Sequence, residues 1–206
     1  MTVDAFTPSR LRMPGLMFIF SLVGFILLMA IAIGVVLPAF PGGMGALTPE
    51  QMQNFRSVFV LFQAWAIVPI LLGTLGIALL YPILKQTSAG RIAWLGLICA
   101  SLTSLLYFVL IVLRLTLVSF SEASLNDNLV WRWTSWAFDK PGLILLSVTT
   151  LFVGISLYRS NLLRRTGLII AILSIILTFL AIFVGYPPFV FGFLWLAVGI
   201  GLLTRR

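Results

Sequence analysis

The chain contains no histidine, a single cysteine and only five acidic residues among 206. Each scarcity removes a class of chemistry. Without histidine there is no His-ligated haem or chlorophyll, no Ser–His hydrolysis and little scope for zinc catalysis. The lone thiol, Cys99, can close no disulfide within the chain, and in its apolar stretch it reads as a small packed hydrophobe. Asp4, Glu50, Glu122, Asp127 and Asp139 all fall outside the apolar segments, which argues against a carboxylate proton relay or a sodium site at membrane depth. No lysine lies midway along the final apolar segment, where a retinal Schiff base would need one, and there is no Gly-rich phosphate loop.

What the chain has in abundance is apolar surface. It is 61% hydrophobic and 9% charged, with a mean hydropathy of +1.18. So few charges cannot cover a water-soluble domain, and a bilayer is the alternative solvent. At roughly 20 residues per crossing, six spans are expected, near 14–37, 58–82, 92–117, 141–158, 166–185 and 187–203. They leave no room for a separate soluble domain, so residues 1–206 form one all-α transmembrane unit. The first span is too long for the apolar core of a secretory signal and is expected to be retained.

Placement of charge sets the orientation. With the amino terminus inside, Arg10, Arg12, Lys85, Arg91, Arg159, Arg164, Arg165, Arg205 and Arg206 all face the cytoplasm, with Asp4 as the one acid beside them. On the other side, Arg56, Arg114, Arg132 and Lys140 are balanced by Glu50, Glu122, Asp127 and Asp139. The whole net charge of +8 then sits inside, as the positive-inside rule requires. A basic pI in this setting reflects topology and contact with anionic lipid, not nucleic acid.

Local signals refine the path. Thr48-Pro49-Glu50-Gln51 has capping-box spacing, so the second helix should begin outside the membrane, with Met52, Phe55, Phe59 and Phe62 on one face. Pro69 should kink it. The loop 121–140 should contain a short amphipathic helix lying in the outer interface, with Trp131, Trp133 and Trp136 as interfacial aromatics. These rings could instead stack on a pigment, quinone or sugar. Gly15-Leu16, Gly96-Leu97 and Gly167-Leu168 each precede a serine near the start of an outward-going span, and a 3+3 inverted repeat is arithmetically possible.

The residue that stands apart is Arg114, a cation within an otherwise uncharged run from Ile92 to Phe120. Such a charge needs a partner, water or a route to the interface. Tyr107 and Arg114 share a helical face at i, i+7, as do Arg56 and Gln63, and Gln63 should lie at about the depth of Arg114. One reading is an outward polar pocket in which Arg114, Gln63, Tyr107 and Arg56 bind an anionic or carbonyl group. The other is a structural arginine that snorkels, or pairs with Gln63, Glu122 or Asp127. Small residues at Ala30/Gly34, Gly96/Ala100, Ala100/Ser104 and Ala197/Gly201 permit close helix approach. Ser147, Thr150, Ser174 and Thr178 could line a path, or bond back to helix carbonyls.

Leu80-Tyr81-Pro82-Ile83-Leu84-Lys85, the run Leu157-Tyr158-Arg159-Ser160-Asn161-Leu162-Leu163-Arg164-Arg165, and Pro187-Pro188 with Phe193-Leu194-Trp195-Leu196 together carry a family likeness. On these motifs the chain resembles a large family of bacterial six-helix integral membrane proteins to which no activity is attached. The resemblance implies six helices and a bacterial cytoplasmic membrane, and it supplies no catalytic residue.

The expected object is therefore a six-helix bundle with both termini inside. The leading function is a non-catalytic accessory or structural subunit that stabilises a larger membrane complex, or binds lipid or a hydrophobic cofactor such as a quinone or carotenoid. Its partners would be membrane lipids and other membrane subunits. A small transporter or substrate-capturing component, with its pocket at Arg114, is the alternative. An unfamiliar enzyme acting on lipid is the third reading. No metal site is expected.

Overall fold

The computed structural model describes residues 6–36, 38, 60–62, 64–120, 129–184 and 188–205, with side chains for all of these except 36, 117–120 and 129–136. Regular structure among the described residues is entirely helical. Among the described residues the α-helices are, in order, α1 (Pro8–Ile31), α2 (Val68–Leu84), α3 (Gly90–Phe120), α4 (Leu129–Arg159), α5 (Arg164–Phe183) and α6 (Phe189–Thr204). A π-helical turn, Ala32–Val36, extends α1. Among the described residues five stretches are long and apolar enough to cross a membrane, and α6, with 16 residues, is shorter.

The molecule is apolar outside and carries hydroxyls inside. Leu168, Ile169, Ile172, Ile176 and Phe179 of α5 are exposed, as are Leu102, Leu105 and Phe108 of α3. Ser21, Thr103, Ser147, Thr149, Thr150, Ser156 and Ser174 are fully buried. Water would not tolerate the first pattern over so large an area. In hydrocarbon the second is natural, because small residues let helices approach and their hydroxyls bond within or across them. These features describe a multi-pass membrane protein.

Helix contacts place each element. Gly15 meets Gly199 and Gly192 meets Leu22, so α1 and α6 are antiparallel. Gly76 lies on Phe18 and Gly24 on Pro69, which sets α2 antiparallel to α1. Thr74 Oγ1 lies 2.8 Å from Ser104 Oγ, and the Tyr81 and Trp94 rings are 5.6 Å apart, so α3 returns beside α2. Gly96 packs on Phe152 and Gly142 on Tyr107, which aligns α4 with α3. The α4–α5 crossing is the closest. A Cβ on Gly167 would stand 2.6 Å from the Gly154 carbonyl oxygen, so backbone lies against backbone there. Contacts repeat with a period of three: α1 lies between α2 and α6, and α4 between α3 and α5, while α5 and α6 barely touch.

Trp195 holds the centre. It is buried, packs 6.2 Å from the Phe18 ring and donates from Nε1 to Thr150 Oγ1 at 3.3 Å. It also fills the space a side chain at Gly73 would need, a Cβ there falling 1.8 Å from Trp195 Cζ3. One ring thus joins α6 to α1, α2 and α4.

Three details differ from, or sharpen, the sequence reading. The break expected at Pro69 comes two residues earlier, as a turn at Ile67, with Pro69 in the first turn of α2. The ring lacks an N–H and suits a first turn. Ser21 Oγ donates to the Pro69 carbonyl at 2.6 Å and Trp65 Nε1 to that of Gly24 at 3.4 Å, which ties α1 to this break. Second, the Trp-rich segment is helical but is not a separate helix. It runs unbroken through Pro141 into α4, a helix of 31 residues. Pro141 removes the bond to the Ala137 carbonyl, and Ala137 is exposed. Third, most of the hydroxyls bond locally: Ser147, Thr150 and Thr178 each donate to the carbonyl four residues back. The capping sequence at Thr48–Gln51 lies outside the described residues.

Candidate functional site

At the end of the bundle where α3 finishes and α4 is still in its first half, the helices splay around a cavity of about 350 Å³. Its wall is apolar: Phe25, Leu28 and Met29 from α1, Phe62 and Ala66 ahead of α2, Ile70 from α2, Leu110 and Ile111 from α3, Leu143 from α4, and Phe189 from α6. Tyr107, Arg114 and Asp139 supply its polar groups. The Trp195 layer fills the bundle one to two turns deeper, so the cavity has a floor.

The i, i+7 spacing on α3 does what it promised. Tyr107, Leu110, Ile111 and Arg114 form one face and line one cavity. Opposite them, α4 presents Asp139, Gly142 and Leu143. Gly142 lets the Tyr107 ring lie flat against α4; a Cβ there would come within 2.9 Å of Tyr107 Cε2. One turn further along, Arg114 Nη2 donates to Asp139 Oδ2 at 2.7 Å, a charge-assisted bond.

Asp139 is the principal correction to the sequence reading, which assigned it to an outer loop and sought a partner for Arg114 in Gln63, Glu122 or Asp127. Because α4 begins well before Pro141, Asp139 stands a helical turn above Leu143 and faces α3. The stretch Ala137–Arg159, long and apolar enough to cross a membrane, therefore does contain a carboxylate. Its side chain is 41% exposed and that of Arg114 is 16% exposed. The cation is thus the more enclosed partner and the acid the more exposed one, and both line the cavity.

Of the other expected site residues, Arg56 and Gln63 lie outside the described residues, although Phe62 and Ala66 on either side of Gln63 do line the cavity. The side chains of Trp131, Trp133 and Trp136 also lie outside. Sequence reasoning missed the apolar wall, since Phe25, Leu143 and Phe189 look like any other lipid-soluble residues. Asp139 had a signal: it sits three residues before Gly142 and four before Leu143, on the helical face that packs. No group of three or more metal-ligating acids, cysteines or histidines occurs among the described residues.

Chemically, this site can hold an apolar body and one polar end. It offers an arginine donor, a carboxylate acceptor and a phenol at one edge of a hydrocarbon-lined space. No family model matches the chain, and neither a curated protein nor a solved structure is significantly similar to it.

Proposed function

We propose that this protein is a non-catalytic, multi-pass protein of a bacterial cytoplasmic membrane that holds the end of a lipid or another hydrophobic molecule in the cavity beside Arg114. Both termini lie inside, so the cavity opens towards the outer leaflet. The observation that carries this reading is the Arg114–Asp139 ion pair at the rim of a largely apolar cavity. A carbonyl, hydroxyl or phosphate would meet Arg114, and the chain or ring behind it would lie against Phe25, Phe62 and Leu110. At about 350 Å³ the space is near the lower end for ligand pockets, so one acyl chain or a quinone ring suits it better than a whole carotenoid. The cationic excess at the opposite end supports the orientation.

A second reading, an accessory subunit docked to another membrane protein, draws on one observation. Gly34, four residues beyond Ala30, has nothing within 4 Å of the position a Cβ would take. This small-residue face therefore meets nothing among the described residues, unlike Gly96 and Ala100.

Two experiments test the proposal. Native mass spectrometry of the gently extracted protein should detect a bound lipid or quinone, and Ala66→Phe, which fills the cavity from its wall, should remove it while the fold persists. Retention of the same molecule by the filled variant would refute the cavity as its seat. For topology, Ser88→Cys and Arg165→Cys should resist an impermeant maleimide in sealed cells and react after lysis. Labelling of either in intact cells would reverse the orientation.

A further inference from the structure

The opposite end of the bundle holds a second, larger cleft of about 980 Å³, formed by the α2–α3 turn, the start of α3 and the end of α4. Three cations from three elements line it: Lys85 after α2, Arg91 in the first turn of α3 and Arg159 at the end of α4. All three are exposed, and none forms an ion pair, since the only carboxylate among the described residues is Asp139 at the other end. Tyr81 and Trp94 form one wall, their rings tilted 45° to each other. The turn is held against α4 by Ser88 Oγ, which donates to the Arg159 carbonyl at 3.4 Å. Thr87 closes the turn by donating to the Leu84 carbonyl at 2.7 Å and accepting from the Ala89 N–H at 3.1 Å.

Like charges do not gather in a cleft without cost. No carboxylate among the described residues lies in the cleft to offset them, so an anion that sits among them is the natural complement. Three features favour a phosphodiester on a lipid over a free anion. The cleft lies at the first turn of a membrane-crossing helix, where headgroups are found. Its indole and phenol are the rings that prefer that depth. And it opens on an exposed apolar stripe of α3, Leu95, Ile98, Leu102 and Leu105, at helical spacing, along which acyl chains can lie.

We infer that this cleft is a binding site for the headgroup of an anionic phospholipid, separate from the Arg114 cavity and independent of the function proposed for it. Lys85, Arg91 and Arg159 neutralise the phosphate, and Tyr81 and Trp94 pack against the glycerol and upper chain. This is more than general attraction of a basic surface to an acidic membrane, because other cations at the same end, Arg10, Arg12 and Arg165, lie outside the cleft.

The test uses the full chain in nanodiscs of equal phosphatidylglycerol and phosphatidylcholine, with the lipid that stays bound counted by native mass spectrometry. The wild type should retain phosphatidylglycerol in clear excess. The triple variant Lys85→Gln, Arg91→Gln, Arg159→Gln should lose that excess by about tenfold or more, given the usual contribution of each cation at a membrane surface. A control with the same loss of charge, Arg10→Gln, Arg12→Gln, Arg165→Gln, should change it less than about twofold. Ser88→Trp, which blocks the cleft and leaves every cation in place, should also abolish the excess. It decides alone should the triple variant not fold. An equal fall in the triple variant and its control, or full retention by Ser88→Trp, would overturn the site. Displacement of the lipid by millimolar inorganic phosphate would reassign it to a soluble anion and overturn the lipid assignment.

Discussion

Neutralising one member of the Arg114–Asp139 pair should cost different amounts depending on which member goes. Asp139→Asn leaves a cation whose side chain is only 16% exposed without the carboxylate 2.7 Å away. Arg114→Gln leaves an acid that is 41% exposed and can be rehydrated. Removing a partner from a fully buried pair costs about 3–5 kcal/mol, whereas an exposed pair contributes about 0.2–1 kcal/mol. Placing each residue between these limits by its exposure gives about 2–3 kcal/mol for Asp139→Asn and about 1 kcal/mol for Arg114→Gln. The double variant removes both charges and should cost no more than about 2 kcal/mol, so the two should couple by roughly 1–2 kcal/mol. The measurement is reversible unfolding in mixed micelles of dodecylmaltoside and sodium dodecyl sulfate, followed by tryptophan fluorescence, for all four proteins. Equal costs for the single variants, with a double variant equal to their total, would show that the pair does not act as a unit and would remove the basis of the site.

Other consequences can be checked directly. Gly73→Ala places a methyl group 1.8 Å from Trp195 Cζ3, against an ordinary contact of about 3.5–4.0 Å; it should cost about 2–3 kcal/mol by overpacking, and Trp195→Leu in the same background should recover part of this in the same micelle assay. Trp195→Phe gives up the bond to Thr150, worth about 0.6 kcal/mol, and empties the space at Gly73 that the indole fills, so it should cost about 2–3 kcal/mol in all. Gly167→Val drives a side chain into the Gly154 carbonyl, so the folded fraction on size-exclusion chromatography should collapse, while Gly34→Val, at a position that meets nothing among the described residues, should leave it unchanged.

Much of the architecture could be read from hydropathy alone, because crossing lengths and charge asymmetry are properties of segments and not of contacts. Among the described residues the chain is helical throughout its apolar stretches, five of them long enough to cross a membrane, and the i, i+7 relation of Tyr107 to Arg114 needed only helical geometry. Two kinds of information were hidden. Helix starts were misplaced where proline intervened: Pro141 read as the beginning of a span, so Asp139 was assigned to the loop although it sits on the packed face of α4. Partner choice was hidden as well. Nothing in Trp195 as a letter distinguishes a central ring from an interfacial one, and its position follows only from Gly73, Phe18 and Thr150 converging upon it. The use of Gly96 and Ala100 within the chain, and the lack of a neighbour for Gly34 among the described residues, are likewise matters of packing that spacing cannot rank.

The pairing of the first helix with the sixth bears on how the polypeptide is made. About 180 residues separate Gly15 from Gly199, which at the usual pace of translation is roughly 10–40 s. Throughout that interval the surface of Gly15, Ile19 and Leu22 that meets α6 lacks this mate, and insertion machinery, lipid or a chaperone must cover it. A ribosome stalled before α6 would therefore release a product that can enter the bilayer yet cannot close its ring, and quality-control proteases should recognise it by that open seam.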